Sequence, residues 1–288
     1  MTVNVISTEV SIVRGPGHNP KMDLVTVEEP LEIWVAYEDK QGELTETSLS
    51  ITMRTPGEDE ALVTGFLFSE GIIRSLEDVT NISTFGPVTE PYSLQNQIKI
   101  TLKSGERVAE KKFQRHFYSN SSCGVCGKAS MAALEMLHLP AIDKTGFRIH
   151  DKTLRKLPSR LQESQAEFEK TGGLHGISLV SEDGEILLTK EDVGRHNAMD
   201  KLIGQLVLEQ TLSANNEGVM KDKMVLVSGR ASFELVQKSL VADIPFFSSI
   251  GAPSSAAIDL ADKYGSTLVG FLKEKDYNIY HGAHRIFW

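Results

Sequence analysis

Cysteine is almost absent from this chain, which has only two in 288 residues. Both lie in one short segment, Cys123-Gly124-Val125-Cys126-Gly127. Two cysteines this close together cannot cross-link a large secreted domain, so the sequence is typical of a protein from a reducing compartment. The pair predicts thiol chemistry, because a chain that used cysteine for packing would have it elsewhere as well. Burial as two inert core residues is the alternative.

Long apolar runs and an excess of basic residues are missing as well. No stretch of about 18 apolar residues is present, which excludes a membrane-spanning helix. Residues 1–14 lack the basic and then apolar pattern of a secretory signal. The formal net charge of -9 disfavours general nucleic-acid binding, which usually needs a basic surface. We therefore expect a cytoplasmic protein that binds neither membranes nor nucleic acids.

Several common catalytic fingerprints are also absent. The chain has neither G-x-x-x-x-G-K-[ST] nor G-x-G-x-x-G, the loops of common nucleotide-binding proteins, and no G-x-S-x-G nucleophile elbow. No histidine is followed two positions later by glutamate, which excludes the motif of the zinc deaminases. A structural zinc site needs about four ligands, and no second ligand pair stands at a recognisable spacing. We predict no metal site in the protein.

Cationic residues flank the cysteine pair in the sequence: Lys111, Lys112, Arg115, His116 and Lys128. The periodicity of residues 127–139 predicts a helix that begins directly after the pair. Positive charge and a helix N-terminus both favour the thiolate, which is the form that attacks sulfur. One cysteine could therefore accept a sulfane sulfur as a persulfide, and the other could shield that sulfur or expel it by forming a disulfide.

The first third of the chain has the β-branched content and alternation of strands, predicted over residues 4–13, 22–37, 48–54, 79–85 and 95–103. A helix is predicted between Thr55 and Gly71, with its apolar face at Leu62, Phe66 and Leu67. The amphipathic stretch over residues 152–170 predicts a helix that Pro158 breaks in two.

From residue 175 onward the pattern changes. A hairpin is predicted around Asp183-Gly184, and strands then alternate with helices: helices over 197–210, 233–242 and 254–264, strands over 224–227, 246–250 and 267–272. This pattern predicts an α/β fold, a mixed sheet with helices on both faces, plus an N-terminal, mainly antiparallel β part. We divide the chain into residues 1–150, with the cysteine pair, and residues 151–288, with a ligand pocket. One continuous domain is the alternative.

Three strand-to-helix turns of the second part carry polar side chains. The first contains Arg195 and His196, the second Ser228, Gly229 and Arg230, and the third Ser254. Ligands of α/β sheets bind at the carboxyl ends of strands, and helix N-termini with arginine suit phosphates. The three turns together predict a nucleotide-phosphate pocket. Ordinary turns closed by helix-capping side chains are the alternative.

The chain resembles the formate dehydrogenase accessory sulfurtransferases, also called FdhD sulfur-carrier proteins. The resemblance covers residues 5–286 and rests on blocks at 54–60, 65–67, 70–73, 123–127, 171–175, 191–197, 200–204, 228–234, 252–255 and 268–271. It implies a cytidine-deaminase-like core without the zinc site, usually as a homodimer. It also implies that Cys123 takes sulfur from a cysteine desulfurase as a persulfide, with Cys126 assisting. The acceptor would be the molybdenum cofactor, bis-molybdopterin guanine dinucleotide, which then enters formate dehydrogenase.

The family's cofactor segment corresponds to Phe271-Leu272-Lys273-Glu274-Lys275-Asp276. Family members often carry arginine there. This chain has Lys273 and Lys275 instead, which keep the positive charge but lack the planar guanidinium group that binds phosphate through two hydrogen bonds. Together with this segment, we expect the cofactor to be held by His175, Arg195, His196, Ser228, Gly229, Arg230 and Ser254. Two alternatives remain: a cofactor-binding chaperone without sulfur transfer, and a thiol-disulfide oxidoreductase.

Overall fold

The structure is a computed structural model that describes residues 3–15, 17–39, 41–105, 108, 141–142, 146–213 and 218–288. Cys123, Cys126 and the helix predicted over residues 127–139 lie outside the described residues. No helix in the described ranges is both long enough and apolar enough to cross a membrane.

The N-terminal part contains a two-stranded ribbon and a four-stranded sheet. The ribbon pairs β1 (Val5–Arg14) with β2 (Gly17–Thr26) in antiparallel fashion. The sheet has the order β4-β3-β6-β5 and consists of β3 (Glu29–Glu38), β4 (Leu44–Arg54), β5 (Val79–Thr89) and β6 (Leu94–Leu102). Its central pair, β3 and β6, is parallel, whereas the outer pairs are antiparallel.

The single strand predicted over residues 22–37 is wrong, because the structure divides it between two sheets. Residues up to Thr26 belong to the exposed ribbon, whereas Leu31, Ile33 and Val35 of β3 are buried in the main core. Alternation shows that a segment is extended, but it does not show where the segment changes its partner strand.

Helix α1 (Asp59–Ser69) follows β4 and is buried on all sides rather than along the one predicted face. It lies against α5 (Arg195–Leu208), and two glycines allow the close approach. A Cβ at Gly65 would fall on the carbonyl oxygen of Asp200, and a Cβ at Gly204 would fall on that of Ala61. This crossing joins the N-terminal part to the C-terminal sheet. The division into residues 1–150 and 151–288 stays a prediction.

Residues 151–171 form three short helices: α2 (Asp151–Leu154), α3 (Leu157–Ser164) and α4 (Ala166–Thr171). The predicted break at Pro158 is confirmed, because α2 ends at Leu154 and Pro158 lies in the first turn of the next helix, α3. Proline is tolerated there, since the first N–H groups of a helix have no intrahelical acceptor. The second break, at Gln165 between α3 and α4, was not predicted.

The C-terminal part is a six-stranded mixed sheet with the order β13-β12-β11-β10-β8-β9. Its strands are β8 (His175–Ser181), β9 (Ile186–Asp192), β10 (Lys223–Val227), β11 (Phe246–Ser249), β12 (Thr267–Gly270) and β13 (Asn278–His281). Strands β10, β11 and β12 are parallel, and β8 is antiparallel to both β10 and β9. The carboxyl ends of β9 to β12 and the amino end of β8 therefore share one edge, which we call the ligand edge.

Helices cover both faces of this sheet, as predicted. Val225 and Val227 lie in the core cluster that contains α5, α6 (Phe233–Val241) and α7 (Ser255–Tyr264). Met224 and Leu226 point the other way, into a second cluster with α2 and α3. The short strands β7 (Ile149–His150) and β14 (Ile286–Phe287) pair with each other. The mixed α/β class is confirmed, and the cytidine-deaminase-like arrangement stays a prediction from the resemblance.

Candidate functional site

The ligand edge brings together most of the residues that the sequence proposed for ligand binding. His175 begins β8 and is paired in register with Asp192, the last residue of β9. The turns that lead into α5, α6 and α7 follow β9, β10 and β11 along the same edge. Cys123 and Cys126 lie outside the described residues, so the structure does not place them relative to this edge.

The turn before α5 is organised by the carboxylate of Asp192, which is fully buried. One oxygen accepts hydrogen bonds from the backbone N–H of Gly194, at 2.8 Å, and from Asn197 Nδ2, at 3.1 Å. The other oxygen lies 2.7 Å from Lys201 Nζ and accepts from the N–H of Thr55 at 3.2 Å. Both oxygens of this carboxylate therefore have partners within the protein, and neither is available to a ligand.

Arg195, the first residue of α5, is the cation that this turn leaves unpaired. Its Nε is buried without a hydrogen-bond partner, and no described residue forms a salt bridge with its guanidinium. The first turn of α5 also contains no acidic side chain. An uncompensated guanidinium beside a helix N-terminus is an arrangement that a phosphate or carboxylate group would satisfy.

His175 lies partly buried beside the second turn, with its ring against Gly229. Burial is the largest cause that lowers the pKa of His175 below its usual 6.5. The nearby positive charge of Arg195 lowers this pKa further, whereas Asp192 raises it. His175 is therefore neutral near pH 7, and its imidazole offers one hydrogen-bond donor and one acceptor.

The turn before α6 differs, because its helix N-terminus is already occupied by an acidic side chain. The carboxylate of Glu234, in the first turn of α6, lies 3.6 Å from His196 Nε2. Contact with the His196 ring is the first cause that lowers the pKa of Glu234 to about 2. Hydrogen bonds from its own backbone N–H and from Ser232 lower this pKa as well, while burial raises it. The positive end of the α6 dipole is thus partly neutralised.

The remaining residues of the second turn have separate roles. Ser228 closes the end of β8: its N–H donates to Gly176 O at 2.9 Å, and its Oγ accepts from Gly176 N–H at 3.0 Å. Gly229 lies beside the His175 ring, at a distance where a Cβ would only touch it. Arg230 is exposed, and its stem passes over Gly251 of the third turn. Arg230 is therefore the cation of this turn that solvent and ligands can reach.

The turn before α7 is capped by Ser254, whose Oγ accepts a hydrogen bond from the N–H of Ala257 at 3.3 Å. The first turn of α7 has no acidic side chain, so it keeps the positive end of its dipole.

The segment Phe271–Asp276 leaves β12 at this edge, and its residues differ in exposure. Leu272 is 0% exposed and belongs to the second core cluster, so its side chain anchors the segment. Lys273, Glu274, Lys275 and Asp276 are exposed. Arg155, which follows α2, donates to the carbonyl oxygens of Lys275 and of Glu274, the latter at 3.4 Å, and its guanidinium lies over the Tyr277 ring. This contact holds the backbone that presents the two lysines.

Two contributors to the site were not found by sequence reasoning. Glu234 was part of a motif block, but nothing in the local sequence shows that its carboxylate turns back on His196. Arg155 lies 119 residues before Glu274, and only the fold brings them together. The signal that could have suggested Glu234 is an acidic residue in the first helical turn, two positions after the N-cap residue Ser232, where a carboxylate is favoured by the helix dipole.

Comparison with known proteins agrees with the motifs. The model of the FdhD/NarQ family matches residues 27–287. The chain is 41% identical over 276 residues to a protein named sulfur carrier protein FdhD from Streptomyces coelicolor, which covers 95% of this chain and 93% of that relative. A protein of the same name from Mycolicibacterium paratuberculosis is 43% identical over 267 residues, with 92% of each chain covered.

A solved structure also matches the whole fold. It comes from Desulfotalea psychrophila, is provisionally assigned as a formate dehydrogenase accessory protein, and aligns with a TM-score of 0.71 at 22% identity. The alignment covers 99% of this chain and 100% of that one. At this identity the likeness supports the fold alone.

Fold and site define a mixed α/β protein whose sheet edge is suited to an anionic ligand. The chain belongs to the FdhD/NarQ family. The resemblance read from the motifs is thereby confirmed.

Proposed function

We propose that the protein is a sulfur carrier for the maturation of formate dehydrogenase, and that it acts as a sulfurtransferase in the cytoplasm. The observation that carries the proposal is the 41% identity, over nearly the whole chain, to proteins named as sulfur carriers. The sulfur would come from a cysteine desulfurase. The acceptor would be the molybdenum cofactor, bis-molybdopterin guanine dinucleotide, as the bound substrate.

Loading is a thiol exchange between two proteins. The thiolate of Cys123 attacks the terminal sulfur of the persulfide on the desulfurase. One S–S bond forms while another breaks, and the desulfurase cysteine leaves as a thiolate, so the step involves no net oxidation. Cationic neighbours such as Lys112 and Lys128 would favour the Cys123 thiolate.

Delivery requires that the outer sulfur leaves Cys123. In the proposed step, the Cys126 thiolate attacks Cys123 Sγ, a disulfide forms between the two cysteines, and the outer sulfur departs as hydrosulfide to the molybdenum centre. A cellular dithiol then reduces the disulfide and restores both thiols. Cys126 thus assists Cys123, and the pair lets one protein both hold and release the sulfur.

The charges of the ligand edge support binding of the cofactor's guanine dinucleotide phosphates. Arg195 is unpaired among the described residues, the first turn of α7 has no acidic side chain, and Arg230 is exposed between the two. Phosphates prefer such a combination of guanidinium groups and helix N-termini. His175, His196, Ser228, Gly229, Ser254 and the segment 271–276 would complete the surroundings of the cofactor.

The proposal is tested by incubating the protein with an active cysteine desulfurase and cysteine, followed by intact-protein mass spectrometry. We expect the wild type to gain one sulfur that a reductant removes, and Cys123→Ser to gain none. Cys126→Ser is expected to load normally but to retain its sulfur when cofactor is added. Equal loading of wild type and Cys123→Ser would refute the sulfur-carrier proposal.

A cofactor-binding chaperone without sulfur transfer is the second candidate, favoured by the fact that the unpaired Arg195 needs no cysteine to bind an anion. It predicts cofactor binding without sulfur loading. A thiol-disulfide oxidoreductase, the third candidate, predicts fast reduction of a generic disulfide by the reduced Cys123–Cys126 pair. We also propose that the protein acts as a homodimer and contacts both the desulfurase and formate dehydrogenase, which sedimentation and pull-down with the purified partners would test.

A further inference from the structure

The four-stranded N-terminal sheet has one side in the core and one side toward solvent. Ile33 and Val35 of β3 point into the main core, where α1 also lies. Trp34 points the other way, in register with Ser48 of β4 and Lys99 of β6, and residues directly opposite each other share a face. We call this solvent side the outer sheet face. Such a face is usually polar when nothing covers it.

Apolar side chains form a band across the outer sheet face. Ile51 and Met53 of β4 are 57% and 42% exposed, and Val88 of β5 is 59% exposed. Between them lie the rings of Trp34 and Phe85, whose centroids are 6.0 Å apart in an edge-to-face arrangement. Single exposed apolar residues are common on any protein, but a continuous apolar band with a polar rim is typical of a surface that binds another protein.

The rim of this band is acidic. Residues 27–105 contain 14 acidic and 5 basic residues, whereas the rest of the chain contains 25 of each, so the whole excess of negative charge belongs to this part. The outer sheet face carries Glu32, Glu38 and Glu46. Lys99, the one basic residue described on it, lies 2.7 Å from the carboxylate of Glu46. The complementary partner therefore has an apolar centre and a basic rim.

Two other ways of covering the outer sheet face fit less well. A second copy of this chain would place the same acidic rims against each other, and like charges across an interface are unfavourable. Strand addition would use the free edge of β4, but the register of β4 with β3 shifts at Ile33/Trp34, and such bulges protect an edge. Four strands of ordinary spacing and length cover about 600 Å², close to the roughly 800 Å² that each partner contributes to a stable interface.

We propose that the outer sheet face is the surface on which the cysteine desulfurase docks, with an apolar contact at Trp34, Ile51 and Phe85 and basic residues of the desulfurase around it. The inference rests on the proposed function, which requires one partner that supplies sulfur and one that receives the cofactor. The receiving partner has to approach the ligand edge, where Arg195 and Arg230 lie. Helices α1 and α5 separate the outer sheet face from the six-stranded sheet, so a desulfurase docked there leaves the ligand edge open.

The test measures the rate at which purified desulfurase, supplied with cysteine, loads the full-length protein at several concentrations of that protein. Ile51→Lys places a cation in the centre of the apolar band. We expect KM for the carrier to rise about tenfold, the effect of losing one central interface residue, and kcat to stay unchanged, because the sulfur exchange itself does not involve this face. Val13→Lys is the matched control: it makes the same change at a residue of β1 that is 72% exposed, and it should keep the wild-type KM.

Glu38→Lys tests the acidic rim and gives a second variant that does not depend on Ile51→Lys being folded. We expect KM to rise about threefold at low salt and by less at high salt, because charges at a rim act mainly through the rate of association. Glu9→Lys makes the same change at an exposed position of β1 and should have no effect at either salt concentration.

Glutathione persulfide is the comparison donor, because a small molecule can transfer its outer sulfur to Cys123, with glutathione thiolate leaving, without any docking surface. All variants should load equally from this donor. A wild-type KM for the desulfurase in both Ile51→Lys and Glu38→Lys would overturn the inference and leave the proposed function standing. Equal losses with both donors would overturn it too, since the effect would not depend on a docked protein. A wild type that loaded from neither donor would instead overturn the proposed function.

Discussion

The turns before α5 and α6 each contain a carboxylate, and they use it in opposite ways. Asp192 lies inside the protein, where Lys201 and three hydrogen-bond donors surround it. Glu234 lies at the surface, with 48% of its side chain exposed, beside His196. The first arrangement leaves the cation Arg195 uncompensated, whereas the second neutralises its own helix. The comparison indicates that an anionic ligand is directed to α5 and α7 rather than to α6.

The comparison is tested most strongly by Asp192→Asn. This change leaves Lys201, which is 2% exposed, as a buried cation without its carboxylate. Breaking one partner of a buried ion pair typically destabilises by about 3–5 kcal/mol, and urea unfolding measures this difference. Asp222→Asn is the control: it removes an ion pair of 2.6 Å whose carboxylate is 60% exposed, so a loss of under about 1 kcal/mol is expected. A similarly small loss for Asp192→Asn would contradict the internal role of this carboxylate.

Arg195→Met tests whether the uncompensated cation in the turn before α5 binds an anion. Because the Nε of Arg195 is buried without a hydrogen-bond partner, its removal should leave the free energy of unfolding unchanged or raise it. Affinity for pyrophosphate should fall about 10- to 100-fold, as expected when a charged hydrogen-bond donor is removed.

Arg74→Met removes the same charge from an exposed position beyond the carboxyl end of α1 and should leave binding unchanged. Calorimetric titration with pyrophosphate at two salt concentrations distinguishes Arg195→Met from Arg74→Met. If Arg195 contacts the anion directly, its removal lowers both the affinity and the dependence of that affinity on salt concentration. If both variants bound pyrophosphate as the wild type does, Arg195 would not be the anion-binding cation.

The two carboxylates also show how far the sequence can be interpreted. The strands and helices from residue 175 onward followed from periodicity and turn residues, and the three turns were correctly placed before helices. Whether each carboxylate is buried or exposed could not be predicted from the sequence, because the partners are distant in the chain. Asp192, for example, receives a hydrogen bond from Thr55, 137 residues away. Similarly, alternation over residues 22–37 showed extended backbone but not the change of partner at Thr26. Local patterns specify conformation, whereas long-range packing decides which polar groups become internal.

Glu234→Gln should have a smaller effect than Asp192→Asn or Arg195→Met. It should lower stability and raise the affinity for pyrophosphate. The pKa of Glu234 is lowered from 4.5 to about 2, so its contribution to stability is complete above pH 4.5 and is lost as the pH falls toward 2. Because the side chain is half exposed, this contribution is only about 1 kcal/mol after solvent screening. Removal of the charge from α6 should raise pyrophosphate affinity about threefold.

Glu163→Gln is the control for the change in net charge, because it removes the same charge from an exposed position on α3. Urea unfolding between pH 2 and pH 5 should show a smaller acid loss for Glu234→Gln than for either the control or the wild type. Unchanged acid sensitivity together with unchanged affinity would mean that Glu234 does not neutralise the helix.

The smallest expected effect concerns His175, whose pKa is lowered chiefly by burial. A histidine with a lowered pKa binds its proton more weakly in the folded state than in the unfolded state. Stability is therefore unaffected well above pH 6.5 and falls as the pH drops below that value. His175→Asn should reduce this loss between about pH 6.5 and 5 without altering stability at pH 8.

The pH dependence of ligand binding at His175 should be opposite to that of stability. A bound pyrophosphate favours the protonated ring, so its affinity should rise as the pH falls through the lowered pKa, and this rise should vanish in His175→Asn. Titrations at pH 8 and pH 5.5 measure both variants. A rise that persisted in His175→Asn would show that His175 is not the group that links proton binding to anion binding at this edge.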